Sequence, residues 1–178
     1  MQLKPVILNK QFYFTLFLVG IATFIVHELC HWITGVALGY KMFASLNQVW
    51  SQTEMTSGHK ILVDAAGPIF TIIQGIVGFW WVKSRLSSTG FSMLYMSFFM
   101  RLFAGVVSIF NLNDEARISL QLGLGTWTLP IVVILFLFTL LYFASRRLRL
   151  TFRDHFFCYL TASIVVTLIV GAGNIHGG

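Results

Sequence analysis

The sequence predicts an all-α protein, a polytopic transmembrane helical bundle with about five membrane-spanning helices. Hydrophobic residues make up 57% of the 178 residues and charged residues only 10%, whereas soluble domains average about 25% charged residues. Long windows almost free of Asp, Glu, Lys and Arg recur along the chain, and about 20 such residues cross a bilayer core as a helix. No segment alternates like a barrel strand. Helices are therefore expected, because they satisfy their own backbone hydrogen bonds in lipid.

Five apolar segments are long enough to span a membrane. They are predicted at about Gln11 to Gly39, Ile61 to Val82, Phe91 to Asn113, Trp127 to Ser145 and Phe156 to Gly173. The connections between them are short, so residues 1–178 are expected to form a single integral membrane domain. The first segment stays apolar well past residue 26 and has no small-residue cleavage site, which favours a retained helix over a signal peptide.

Basic residues are distributed unequally between the two sides of the predicted bundle. If five helices alternate in direction, one side carries Lys4, Lys10, Lys83, Arg85, Arg146, Arg147, Arg149 and Arg153, and the other carries Lys41, Lys60 and Arg117. By the positive-inside rule this bias predicts a cytoplasmic N-terminus. It also accounts for the net charge of +6 without a nucleic-acid partner. The stretch RRLRLTFRD (146–154) is then a cytoplasmic turn that contacts the anionic headgroups of the lipid bilayer.

The sequence HELCH (27–31) places three ionisable side chains in the first apolar segment. His27 and His31 are four residues apart, so on a helix both imidazoles can reach one cation. Glu28 lies on the same arc and flanks the cation without needing to bind it. In zinc hydrolases two histidines and a third protein ligand hold Zn²⁺, and a nearby carboxylate acts as general base for water at the open position.

The membrane setting strengthens this interpretation. In a soluble protein an H-E-x-x-H pattern alone is only a hypothesis. Inside a membrane helix, each ionisable group costs on the order of 3 kcal/mol on insertion scales. Three such groups together are disfavoured unless something binds or pairs them, so a Zn²⁺ site is favoured over a structural cluster of polar side chains.

The third ligand must come from another segment, because no further histidine follows the motif at the metzincin spacing. The acidic candidates are Glu54, Asp64, Asp114, Glu115 and Asp154. Glu54 lies in a polar loop, and Asp154 falls on the side of the membrane away from the HELCH end of the first helix. Asp64, Asp114 and Glu115 therefore remain as candidates.

Three motifs resemble those of the site-2 proteases, a family of membrane-embedded zinc metalloproteases. They are HELCH (27–31), AAGPIF (65–70) in the following segment and NLNDEARIS (111–119) at the end of the next. Together they span residues 27–119, about half of the chain. The resemblance implies a catalytic core of three helices within residues 11–119 and a zinc metalloendopeptidase that acts on membrane-protein or juxtamembrane peptide substrates.

The resemblance implies Asp114 as the third ligand, and it matches Gly67 and Pro68 to a Gly-Pro pair of the middle core helix. The sequence departs from the family pattern at the third motif, where Asp114 is followed by Glu115 rather than glycine and no proline is near. Glu115 therefore stays an alternative ligand. Asp114 is favoured because a shorter carboxylate loses less rotamer freedom when it is fixed.

Asp64 and Arg101 have several possible roles. Asp64 could bind zinc, accept a hydrogen bond from His27 or His31, or pair with Arg101, and the last two roles are favoured over direct ligation. Arg101 precedes Asp114 by thirteen residues, about 20 Å along a helix. This separation predicts that Arg101 pairs with a carboxylate or reaches toward the membrane surface and does not contact the reacting groups.

The sequence thus supports two functional hypotheses. The first is a minimal zinc metalloprotease with Glu28 as general base, whose substrate helix unwinds locally because helical hydrogen bonds shield the scissile carbonyl. The alternative is a non-catalytic membrane protein that binds zinc for structure, transport or partner recruitment. A structural site needs four protein ligands, whereas a hydrolase needs three. The two lines of reasoning disagree on the side of the membrane that the site faces. The charge pattern places the site near the outer leaflet, whereas the resemblance implies the cytosolic side.

Overall fold

The computed structural model describes residues 9–175, so Lys4 lies outside the described part of the chain. The helices are α1 (Lys10–Ala37), α2 (Ser57–Arg85), α3 (Ser88–Val107), α4 (Asp114–Gln121), α5 (Thr128–Leu148) and α6 (Phe152–Ile175). Strands β1 (Met42–Ala44) and β2 (Val49–Ser51) form an antiparallel hairpin between α1 and α2. All the helices except α4 are long and apolar enough to cross a membrane. This confirms the predicted all-α bundle with about five spans.

A buried polar network ties α1, α2 and α3 together at the middle of the bundle. The side-chain amide of Gln74 in α2 donates to Thr23 Oγ1 in α1 at 3.0 Å and to Ser97 Oγ in α3 at 3.1 Å. All three side chains are buried. Because unpaired polar groups in an apolar interior are costly, these mutual hydrogen bonds favour one packing register of the three helices.

The alternating helices collect most of the basic residues at one end of the bundle. At this end Phe12 of α1 lies 6.2 Å from Phe91 of α3, and Phe91 lies 6.3 Å from His155 of α6, between ring centroids. The helix ends gathered there carry Lys10, Lys83, Arg85, Arg146, Arg147, Arg149 and Arg153. We call this the basic end. HELCH lies toward the other end of α1.

The end of α3 differs from the prediction. The helix ends at Val107 rather than continuing to Asn113, and a short turn follows in which Ser108 Oγ accepts a hydrogen bond from the backbone N–H of Asn113 at 3.0 Å. Asn113 in turn caps α4, because its Oδ1 accepts from Ala116 N at 2.9 Å. The chain therefore reverses after α3, and Asp114 begins a helix that packs against α2 and α5.

The hairpin between α1 and α2 was not predicted, since only a short connection with a polar loop was expected between the first two apolar segments. Phe43 and Trp50 are cross-strand partners whose rings stack at 6.0 Å. Trp32 Nε1 in α1 donates to the Met42 carbonyl at 3.3 Å. This contact holds the hairpin against the half of α1 that carries HELCH.

Candidate metal centre

The three side chains predicted as metal ligands converge at one point. His27 Nε2 lies 3.1 Å from His31 Nε2 and 3.2 Å from Asp114 Oδ2, and His31 Nε2 lies 3.4 Å from the same oxygen. Ligand atoms about 2.0 Å from a tetrahedral zinc ion are about 3.3 Å apart. The two nitrogens and one oxygen therefore already have the spacing that Zn²⁺ requires. We call His27, His31 and Asp114 the triad.

A backbone carbonyl orients one of the imidazoles. His31 Nδ1 lies 2.6 Å from the Val63 carbonyl oxygen in α2. A carbonyl can only accept, so Nδ1 carries the hydrogen, and in the neutral ring Nε2 presents a lone pair to the triad. Asp64 does not take the possible role of hydrogen-bond acceptor for His31, because the neighbouring backbone carbonyl of Val63 takes it. Within residues 9–175, Nδ1 of His27 is buried without a hydrogen-bond partner.

Gly67 in α2 packs directly against the two imidazoles. A Cβ atom at this position would overlap Cε1 and Nδ1 of His27 and Nε2 of His31. Only glycine leaves space for both rings, which gives a steric role to one member of the Gly-Pro pair. Pro68 follows it inside α2.

We expect Gly67→Ala to displace the imidazoles and weaken zinc affinity about 10- to 100-fold, as for other residues that support metal ligands. The matched control is Gly58→Ala in the same helix, where nothing lies near the added Cβ. Competition with a chromophoric chelator in detergent measures the affinity. Equal zinc affinity of the two variants would contradict the packing of Gly67 against the rings.

The second oxygen of Asp114 is held by an arginine. Arg117 Nη2 donates to Asp114 Oδ1 at 2.7 Å and to Asp64 Oδ1 at 3.0 Å, and its Nε donates to Asp64 Oδ2 at 3.1 Å. Asp64 therefore pairs with Arg117 and not with Arg101, and Asp114 offers Oδ2 to the triad. Arg117 was not predicted as a site residue, although its position three residues after Asp114 places both on one face of a helix.

The alternative ligand Glu115 pairs with Arg101. Arg101 Nη1 donates to Glu115 Oε1 at 3.0 Å, and Asn113 Nδ2 donates to Oε2 at 2.9 Å. Arg101 thus pairs with a carboxylate, which is one of the two roles predicted for it, although the partner is Glu115. The predicted separation from the site is wrong, because Arg101 Nη1 lies 3.6 Å from Asp114 Oδ2. A distance along one continuous helix does not apply once α3 ends at Val107 and the chain reverses.

The charged side chains at the site do not balance one another. The site holds four carboxylates and only two guanidinium groups, and all six are buried or half-buried. The carboxylates belong to Glu28, Asp64, Asp114 and Glu115, and the guanidinium groups belong to Arg101 and Arg117. With all six ionised the cluster carries two excess negative charges. Buried charges without compensation are costly in a low-dielectric interior. A divalent cation at the triad would offset this excess.

A cavity of about 450 Å³ opens beside the triad. Its walls include Glu28, His31 and Asp114, so Glu28 stands next to two triad members without being one of the three converging groups. Residues 47–50 of the hairpin and the exposed Lys60 line the cavity as well. The hairpin residues were missed by the sequence prediction. A local sequence pattern could have predicted the hairpin, because a polar turn is followed there by β-branched and aromatic residues.

The triad, its supporting arginines and Glu28 define the candidate site by geometry and charge. Both histidines come from α1 and the carboxylate comes from α4, and the groups that hold them lie in α2 (Val63), α3 (Arg101) and α4 itself (Arg117). Function is therefore inferred from the chemistry of these residues. No family model matches this chain, and no curated protein or solved structure matches it.

Proposed function

We propose that this protein is a membrane-embedded zinc metalloprotease that hydrolyses peptide bonds in membrane or juxtamembrane segments of its substrates. The observation that carries the proposal is the convergence of His27, His31 and Asp114, with ligating atoms 3.1 to 3.4 Å apart, beside a cavity that Glu28 also lines. A zinc ion held by these residues would supply Lewis acidity to the substrate carbonyl and to water. The resemblance to site-2 proteases implies the same ligands.

Glu28 is the proposed general base. Glu28 lines the same cavity as His31 and Asp114, and its carboxylate would accept a proton from the attacking water there and later deliver it to the leaving amine. Arg117 orients the proposed ligand Asp114. It donates to Oδ1 of Asp114 at 2.7 Å, which leaves Oδ2 directed at the histidines. The two acidic residues thus have separate roles, one in proton transfer and one in metal binding.

The number of ligands favours catalysis over a structural zinc site. Structural sites use four protein ligands, whereas catalytic sites use three and leave one position for water or substrate. Within residues 9–175, the group that could hold a metal contains three ligands, and it borders an open cavity. A closed shell of four protein ligands in X-ray absorption spectra would instead favour the non-catalytic alternative.

The hairpin suits a substrate segment that has left its helical conformation. Cleavage requires an accessible carbonyl, which a helix shields through its own hydrogen bonds. β1 and β2 form a sheet of two strands, and Val49 and Trp50 of β2 line the cavity. A peptide added to a sheet edge is held extended, with main-chain hydrogen bonds supplying affinity and side-chain pockets supplying specificity.

A second cavity, of about 340 Å³ and mainly apolar, also borders Glu28. It is lined by Ile25, Leu29 and Trp32, which share one face of α1, and by residues 44–46 of the hairpin. Glu28 lines both cavities. This cavity suits a large apolar side chain of the substrate next to the scissile bond. Such side chains are expected in a peptide that comes from a membrane segment.

Removal of the metal tests the proposal. Wild-type protein in liposomes is mixed with transmembrane peptides that carry a fluorophore and a quencher. We expect 1,10-phenanthroline to abolish cleavage and added zinc to restore it, because the Lewis acid is lost and regained. Cleavage that persists after complete zinc removal would contradict the proposal. So would zinc-loaded protein that cleaves no member of a broad transmembrane peptide library.

A further inference from the structure

We propose that the basic end of the bundle carries a specific site for the phosphate group of an anionic phospholipid. The site is a cavity of about 470 Å³ between α5 and α6, within the range of about 300–1,000 Å³ for small-molecule sites. It is lined by Tyr142, Ser145, Arg146, Arg149, Leu150 and His155. It lies at the end of the bundle away from the triad and does not depend on the proposed protease function.

The lining of this cavity is suited to a phosphate group. Two guanidinium groups, a phenol and an imidazole surround it, and no carboxylate is among its lining residues. In the part of the chain that the structure describes, neither Arg146 nor Arg149 forms an ion pair. The nearby Asp154 is engaged elsewhere, since its Oδ2 accepts from the backbone N–H and the hydroxyl of Thr151, both at 2.7 Å. The two arginines are therefore free to bind an anion.

The helix connection explains why these groups face one cavity. α5 ends at Leu148 and α6 begins at Phe152, so the chain reverses over three residues. Arg149 makes this reversal in the left-handed conformation, with a φ of +57°. Because the turn is so short, the end of α5 and the start of α6 lie near each other, and both contribute residues to the cavity wall.

An apolar stripe leads from the cavity along α5 and favours a lipid over free phosphate. Leu135, Phe138 and Tyr142 follow one another at helical spacings of three and four residues, and Arg146 continues the same face. The first three are 57%, 51% and 52% exposed. A phospholipid with its phosphate between the arginines could lay its acyl chains along this stripe. Free phosphate would gain nothing from it.

The charge of the cavity also distinguishes between lipid headgroups. A zwitterionic headgroup brings an ammonium group, and the lining contains no carboxylate to pair with it. Phosphatidylglycerol has no ammonium group and keeps the net negative charge that two arginines attract. Phosphatidylglycerol is thus expected to bind more tightly than phosphatidylcholine with the same acyl chains.

Native mass spectrometry of the full chain in detergent, titrated with each lipid, tests this site. Arg146→Gln and Arg149→Gln are each expected to weaken phosphatidylglycerol binding about fivefold. Arg147→Gln is the matched control, because Arg147 is an exposed neighbour with the same charge that does not line the cavity. It should leave binding unchanged. All three arginines are exposed, so the variants should fold, which their thermal melting temperatures will verify.

Three results would overturn the proposal. Equal weakening by all three variants would indicate a general attraction of anionic lipid to the basic end. Equal binding of phosphatidylglycerol and phosphatidylcholine would remove the selectivity. Displacement of the lipid by glycerol 3-phosphate at matching concentrations would show that the cavity binds a soluble phosphate and that the apolar stripe plays no part.

Discussion

Glu28→Gln is expected to abolish peptide cleavage while the protein keeps its zinc. Glutamine has nearly the same shape as glutamate, but its amide cannot accept a proton from water. General acid–base catalysis contributes about 10²- to 10⁴-fold, so kcat should fall at least about 100-fold. Zinc content should not change, because Glu28 lies outside the three converging ligand groups. Cleavage of a transmembrane peptide and elemental analysis of the same sample measure the two effects.

The matched control is Glu54→Gln, which makes the same chemical change at an exposed position outside the cavity lining. This variant should cleave and bind zinc like the wild type. Undiminished cleavage by Glu28→Gln would rule out its role as the base. Loss of zinc from Glu28→Gln would instead make Glu28 a ligand and favour a structural metal site.

Asp114→Ala is expected to remove the metal itself. The substitution takes away the carboxylate of the triad and leaves two imidazoles, which are too few for a stable zinc site. Zinc affinity should fall by more than about 100-fold, beyond the 10- to 100-fold effect of residues that only support a ligand. Competition with a chelator measures the affinity, and dialysed protein should retain almost no zinc.

Two neighbouring carboxylates provide the comparison for Asp114. Glu115→Ala leaves Arg101, which is 2% exposed, without its main partner, and breaking a buried ion pair costs about 3–5 kcal/mol of stability. The fraction of the Glu115→Ala variant that still folds should nevertheless bind zinc. Asp64→Ala removes one of the two carboxylate partners of Arg117 and should weaken zinc binding less than Asp114→Ala does. If Glu115→Ala lost zinc and Asp114→Ala kept it, Glu115 would be the ligand.

Most of the fold could be predicted from composition, because lipid imposes a simple length requirement. A segment of about 20 apolar residues is long enough to cross as a helix, and residues 9–175 contain five such helices. Helix ends were predicted less well. The third segment stays apolar through Ile109 and Phe110, but its helix ends at Val107. A turn follows it and Asn113 then caps the start of α4, and hydropathy does not register either feature.

The position of Arg101 shows the consequence of that error. Counted along a single helix it stood about 20 Å from Asp114, yet the two side chains lie 3.6 Å apart. The pairing with a carboxylate was predictable, because a buried guanidinium needs one. The identity of the carboxylate that pairs with Arg101 was not predictable, since it depends on where the chain reverses.

The sequence by itself determined the local half of the candidate site. Two histidines four residues apart on a helix face one point whatever surrounds them, because helix geometry is set by the backbone. Only the tertiary structure decided which distant acid meets them. Asp114 and Glu115 are adjacent, so their side chains leave α4 about 100° apart, and the reversal after α3 directs Asp114 to the histidines and Glu115 to Arg101. That choice depends on long-range packing and charge pairing, which no local pattern encodes.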